Sequence, residues 1–269
     1  MVPGARYFRL FYAFARYGLA RELAFRGNFI IKMGVEVLWL SILLIFYRTV
    51  FTKTSVVAGW TESEYLFFVG CYFTLEGMME TLFLENCSEF SELIRNGTLD
   101  FYLLQPIDEQ FLISCRNIEW SSAPNLIIGS TIMWISAAQM HLPFDALKIL
   151  LFVGLFGCGL AIAYSFLLML SATSVWLVRN QSLYELWWLF TSLMRYPKEI
   201  FMGPWASPMG FFFTFIVPVL LVVNVPAHTM VKVFNPWLVG FMVATATVLV
   251  TVSRRFLMYS LRRYRSASS

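Results

Sequence analysis

From residue 146 to residue 177 the chain carries one charged side chain, Lys148, and no proline. A helix crossing the hydrocarbon core of a bilayer needs about 20 apolar residues. This run exceeds that length and predicts a spanning helix that projects beyond the bilayer. Further apolar runs cover about 28–50, 63–84, 120–139 and 234–256. Another begins near 183, is interrupted by "RYPKEIFMGPWASPMG" and resumes over 211–225. None of these alternates apolar with polar residues, as the strands of a membrane barrel do. Backbone groups in hydrocarbon must pair internally, which leaves helices. Composition agrees: 59% of the 269 residues are hydrophobic and only 13% charged, against roughly a quarter charged in a soluble domain. The expected fold class is all-α, a polytopic membrane protein.

Arginines cluster at the two ends: Arg6, Arg9, Arg16, Arg21 and Arg26, then Arg254, Arg255, Arg262, Arg263 and Arg265. Basic flanks mark the cytoplasmic side of spans, so both termini are expected inside and the number of spans is even. Full crossings on both sides of the interruption would make seven. The expectation is therefore six spans, with a broken fifth span or a re-entrant outer pair of half-helices near 205–225. On this topology the inner segments, with Arg95, Arg116 and Arg179, hold 13 of the 20 Lys and Arg residues. The chain divides into an amphipathic helix (1–27), a transmembrane part (28–256) and a basic tail (257–269). Residues 85–119, the longest polar interval, fall in the cytoplasm. Basic residues that flank spans are topology signals, and no nucleic-acid partner is expected. Residues 1–26 lack the apolar core and cleavage site of a signal peptide, so the first span is expected to act as its own insertion signal.

In residues 5–26 a helical wheel puts Arg6, Arg9, Ala13, Arg16 and Ala20 on one side and Tyr7, Phe8, Phe11, Phe14 and Gly18 on the other. Such a helix suits the headgroup region, either as an anchor or as a connecting helix that also touches a cytoplasmic partner. Pro124 should start or kink the third span. Gly154, Gly157, Gly159 and Ala161 suit close packing of the fourth. In 85–97, Asn86 is placed to cap a helix and Glu89 to complete a capping box. Glu85, Glu89 and Glu92 share a face, and Phe90, Leu93 and Ile94 supply an apolar side. Gly97 can end the helix in a left-handed conformation. A short amphipathic helix between the second and third spans is predicted.

Signals of an enzyme are absent: no G-x-x-x-x-G-K-[ST], no H-E-x-x-H and no G-x-S-x-G. The two histidines, His141 and His228, are expected in outer loops as surface residues. Cys71, Cys87, Cys115 and Cys158 lie too far apart for a C-x-x-C pair, so no disulfide framework or zinc site is expected. The sequons at Asn86, Asn96 and Asn180 fall in inner segments and read as chance. Ionisable groups inside the spans need a reason. Lys32 and Glu36 lie at i,i+4 and could pair; Glu76 and Glu80 lie one turn apart; Arg195, Lys198 and Glu199 sit in the interruption. They pair across helices, or line a pathway for a cationic or amphipathic cargo, or reach the interface.

The order "IRNGTLDFYLLQP" after the second span resembles the signature of a bacterial family of ABC-transporter permeases in the type-2 ABC exporter superfamily: an amphipathic helix, then I-x-x-G-x-L-D, then L-L-x-P. It maps onto Ile94, Gly97, Leu99, Asp100, Leu103, Leu104 and Pro106. "RYP-x-x-IF" at Arg195, Tyr196, Pro197, Ile200 and Phe201 is a second point of similarity. The resemblance covers essentially the whole chain. It implies a permease subunit without its own ATPase, located in the bacterial inner membrane. Soluble ABC ATPase subunits would use ATP and Mg, and a second permease, identical or related, would complete the dimer. The helix after the second span would be the coupling helix, giving Glu85, Glu89, Glu92, Ile94, Arg95, Gly97, Leu99, Asp100 and Pro106 a role in docking or in setting the angle of the returning chain. No cofactor bound by this chain is implied. The cargo it implies is amphipathic or apolar. The rival readings are an ion-coupled secondary transporter using the intramembrane acids, which predicts an internal repeat, and a lipid-modifying membrane enzyme, which needs a nucleophile or a His/Asp cluster.

Overall fold

The computed structural model describes residues 3–142, 145–177, 181–203, 206–232 and 235–264. Arg179, Asn180 and Arg265, counted above among or beside the inner charges, lie outside them. Among the described residues there is no strand, only an isolated bridge between Val57 and Trp60. The helices are α1 (Pro3–Ala24), α2 (Arg26–Phe51), α3 (Glu62–Met79), α4 (Glu85–Arg95), α5 (Leu99–Leu103), α6 (Glu109–Cys115), α7 (Ala123–Gln139), α8 (Ala146–Ala172), α9 (Gln181–Met194), α10 (Ser207–Phe211), α11 (Val219–Val231) and α12 (Pro236–Arg263).

The centre of the bundle is the antiparallel pair α3 and α7. Three glycines let the two backbones meet. A Cβ on Gly70 would stand 2.7 Å from the Met133 nitrogen, one on Gly77 2.5 Å from the Leu126 nitrogen, and one on Gly129 2.6 Å from the Thr74 nitrogen. Around this seam Phe67, Phe68, Cys71, Tyr72, Phe73 and Leu75 are buried. Pro124 sits in the first turn of α7, where its missing N–H costs nothing. Of the small residues expected to pack α8, Gly159 meets the Val222 carbonyl of α11, whereas Gly154 and Gly157 have nothing within 4 Å. Of the three glycines in that stripe, only Gly159 makes a close contact.

Four helical segments are long and apolar enough to cross a membrane: Arg26–Phe51, Glu62–Arg95, Ala146–Val175 and Pro236–Arg263. The second does not stop near 84 as expected. It continues through a π-helical turn, Glu80–Leu84, directly into α4. α7, with 17 residues, crosses alongside α3. α9 has 14 residues, short for a span.

The bent pair Ser207–Ile216 and Val219–Val231 meets at 89°. It starts with Gly210 against the carbonyl of Phe201 and ends with Lys232 donating to the carbonyl of Gly59. Both contacts lie at the end of the bundle that holds the 52–61 loop. The pair is therefore re-entrant, one of the two alternatives left open by the charge bias. α1 and the end of α12 meet at the Asp108 segment, at the end opposite that loop, called here the terminal end.

Candidate functional site

The terminal end is built around α4. Its inner face is locked. Phe90, Ile94 and Leu99 are buried with Ile113, Leu168, Ala172 and Leu257. The Ser171 hydroxyl donates to the Cys87 carbonyl at 2.9 Å. Asn86 is not a cap, because no helix begins there. It is buried inside the continuous rod, and its side chain bonds both backbone groups of Asn117. Glu89 does not complete a capping box either. Its carboxylate accepts from Arg116 and from Asn117 Nδ2, and Arg116 also lies 4.6 Å over the Tyr102 ring.

The outer face of α4 is different. Glu92 and Arg95 form a loose pair at 3.6 Å with side chains 63% and 58% exposed. Asn96 ends the helix and Gly97 adopts φ +68°, the left-handed conformation expected of it. The turn into α5 then presents Phe101 and Leu104, 71% and 82% exposed. Pro106 is exposed, and its carbonyl accepts from Arg6 at 2.8 Å. Asp100 stands in the first turn of α5, half-buried. Among the residues of the permease signature, Ile94 and Leu99 are therefore core, Gly97 is the bend, and Leu104 and Pro106 are exposed, with Glu92, Arg95 and Phe101 beside them adding to the exposed surface. The exposure of Phe101 was not legible in a stretch where Phe101, Tyr102, Leu103 and Leu104 follow one another without a polar break.

Two terminal elements brace this site. α1 packs along it: the Asp108 N–H donates to Tyr7 Oη at 3.1 Å, and Glu22 accepts from the backbone N–H groups of Trp120 and Ser121 at 2.7 and 2.9 Å. Phe8, on the same apolar side as Tyr7 in the helical wheel, does not share its packing and is 73% exposed, because it stands about 100° around the helix from Tyr7. From α12, Arg254 reaches Asp108 at 2.6 Å and Gln110 at 3.0 Å. Asp108 also caps α6 by accepting from the Phe111 N–H at 3.1 Å. Burial alone would raise the Asp108 carboxyl, but the Arg254 and Phe111 bonds outweigh it and hold it below the usual range.

Lys32, Glu36, Glu76, Glu80 and Arg195 each find a protein partner, though not always the expected one. Lys32 does not pair with Glu36; it binds Glu119 at 2.6 Å. Glu36 accepts from Asn125 Nδ2 at 2.8 Å, and Glu80 from the same nitrogen at 3.2 Å. Glu76 accepts from Tyr72 Oη at 2.6 Å, and Arg195 donates to that same oxygen at 3.4 Å. Glu85 lines a cleft of about 310 Å³ with Glu36, Glu80, Glu119, Lys32 and apolar Ile31 and Val35. Lys198 contributes its backbone N–H, which donates to Asn224 Oδ1 at 2.8 Å.

At the opposite end a second cluster ties three elements together. The indole of Trp60, fully buried, donates to Glu199 Oε2 at 3.0 Å. The other oxygen of Glu199 meets His228 Nε2 at 2.8 Å. Lys232 sits 4.4 Å over the Trp60 ring and 3.8 Å from Glu64. Burial pushes the Glu199 carboxyl up, but the His228 and Trp60 bonds prevail and bring it to about 2. His228 is thus no loop residue: it stands in the last turn of α11, and the clasp holds the re-entrant pair to the 52–61 loop.

Comparison with curated proteins finds no match, and comparison with solved structures finds none. A family model described as ABC-2 family transporter protein matches residues 37–268, from the middle of α2 through α12. With its helical bundle of membrane spans, this chain belongs to the ABC-2 family of transporter proteins, as a permease component of membrane transport.

Proposed function

We propose that the chain is the membrane subunit of an ATP-driven exporter in the bacterial inner membrane, with its terminal end in the cytoplasm. Soluble ABC ATPase subunits dock on the exposed face of α4 and the turn that follows it, and they use ATP and Mg. A second permease, identical or related, completes the transport unit.

The observation that carries this reading is the unbroken helix Glu62–Arg95. It runs from the glycine seam at the heart of the bundle to an exposed tip bearing Glu92 and Arg95. A continuous helix transmits a push along its axis without the slack of a loop. The tip is backed by the buried Asn86, Phe90 and Glu89 contacts, so a force on it reaches α3 and, through the seam, α7. The satisfied partners of Glu36, Glu76 and Glu80 support a structural role for these acids and give nothing to an ion-coupled mechanism. The cleft beside Glu80, with apolar and acidic walls, suits an amphipathic cargo.

The test is purification of the intact chain in mild detergent with its native partners. A soluble ATPase is expected to co-purify and to be lost in the Glu92→Ala/Arg95→Ala/Leu104→Ala variant, whose fold is unchanged by thermal unfolding. Transport by the chain alone, with no ATPase present, would overturn the proposal.

A further inference from the structure

α1 has three faces rather than two. One is occupied by the protein: Tyr7, Phe14 and Gly18 meet Phe111 and Ile118. At about 100° per residue, the exposed remainder divides into two strips. Phe8, Tyr12, Leu19 and Leu23 make an apolar strip, 73%, 66%, 37% and 44% exposed. Arg9 and Arg16 make a basic strip beside it, both exposed and without an ion pair among the described residues. Phe25, between the two helices, and Ile30 and Ile31 of α2 are exposed as well, and α2 is long and apolar enough to span a membrane. An exposed apolar strip suits acyl chains and the arginines beside it suit headgroup phosphates.

We infer that the exposed face of α1 is a binding surface for anionic phospholipid headgroups, and that its occupancy stabilises the 106–121 segment on which the other face of α1 rests. Charge complementarity identifies the occupant: two unpaired guanidinium groups beside an apolar strip match an anionic lipid, with acyl chain against the strip and phosphate on the arginines. The link to 106–121 is direct. Arg6 holds the Pro106 carbonyl, Glu22 holds the N–H groups of Trp120 and Ser121, and the Trp120 indole donates to the Ala15 carbonyl at 2.9 Å. Seating α1 on the headgroups fixes all four bonds at once.

The experiment places the full chain in nanodiscs of phosphatidylcholine alone, or of phosphatidylcholine containing phosphatidylglycerol, and follows backbone hydrogen exchange. Exchange over 5–24 and over 106–121 is expected to slow when phosphatidylglycerol is present. In the Arg9→Gln/Arg16→Gln variant that slowing is expected to fall roughly fivefold for each arginine removed, and Arg9→Lys/Arg16→Lys is expected to restore most of it. Exchange over 67–75, in the core of α3, serves as the reference for an intact fold and is expected to stay unchanged throughout. Equal exchange with and without phosphatidylglycerol overturns the inference, as does a lipid effect that survives in the glutamine variant. Inorganic phosphate reproducing the effect over phosphatidylcholine would mean a free-anion site and overturn it too. No ATPase takes part, so failure here leaves the docking proposal standing.

Discussion

Asn86 and Asn117 pair as two strand residues do: Asn86 Oδ1 accepts from the Asn117 N–H at 2.7 Å, and Asn86 Nδ2 donates to the Asn117 carbonyl at 2.6 Å. Both residues are buried. One side chain thereby satisfies a piece of irregular backbone that no helix could serve. Asn86→Ala leaves a buried N–H and a buried C=O without partners. The expected loss is about 2–4 kcal/mol, read as a fall in the thermal unfolding midpoint of the protein in detergent.

The glycine seam predicts a contrast. Gly77→Ala sets a methyl 2.5 Å from the Leu126 nitrogen, a backbone atom that cannot swing aside. α3 and α7 must separate, at a cost of about 1–3 kcal/mol or more. Gly157→Ala meets nothing within 4 Å and is expected to be neutral or to stabilise by up to about 1 kcal/mol, the helix preference of alanine over glycine. Parallel unfolding curves of the two variants test this.

The clasp at Glu199 makes a prediction about pH. Its folded carboxyl sits at about 2, below the unfolded value of about 4.3. A depressed acid contributes stability that is full above the unfolded value and is lost as the pH falls toward the folded one. Between about pH 4.5 and 2 the wild-type chain should therefore lose stability faster than Glu199→Gln, whose midpoint is already lower at neutral pH. Unfolding midpoints measured across that window for both proteins check the sign.

At the terminal end, Glu92 and Glu89 should behave differently although they stand three residues apart on α4. Glu92 and Arg95 are more than half exposed, and such a pair contributes about 0–1 kcal/mol. Glu92→Ala is expected to leave unfolding unchanged and to weaken ATPase capture. Glu89→Ala removes the partner of Arg116 and Asn117 and is expected to cost about 2–3 kcal/mol. A pull-down together with an unfolding curve for each variant separates docking from support.

Much of the architecture was legible because it follows from local rules. Apolar runs marked α2, α3, α8 and α12, Pro124 marked the start of α7, and Gly97 marked the left-handed end of α4. The charge bias also limited the interruption near 205–225 to two alternatives, of which the packing selects the re-entrant pair. Partners across the bundle were not legible. Lys32 and Glu36 satisfy a helical spacing rule, yet each turns to another element, Glu119 and Asn125, which offer closer geometry than the i,i+4 neighbour. Asn86 and Glu89 have the spacing of a capping box, but a cap needs a helix end. Here the chain arrives already helical, so the same side chains serve tertiary contacts. His228 was misread for a related reason: composition cannot show that Glu199 and Trp60 stand beside it.

A π turn is what a helix becomes when it absorbs one residue more than its neighbours require. The turn at Glu80–Leu84 therefore takes up a residue without changing the rotational phase of what lies beyond it. Deleting a single residue there would let the rod relax to uniform α geometry with α3 and α4 still in phase, whereas deleting one from the adjoining end of α3 would turn α4 by about 100°. Asn86 would then face away from Asn117, and Glu89 away from Arg116. The aim of the docking tip is thus fixed by the length of the regular helix before it, and a one-residue deletion at the end of α3 would be less tolerable than one within 80–84.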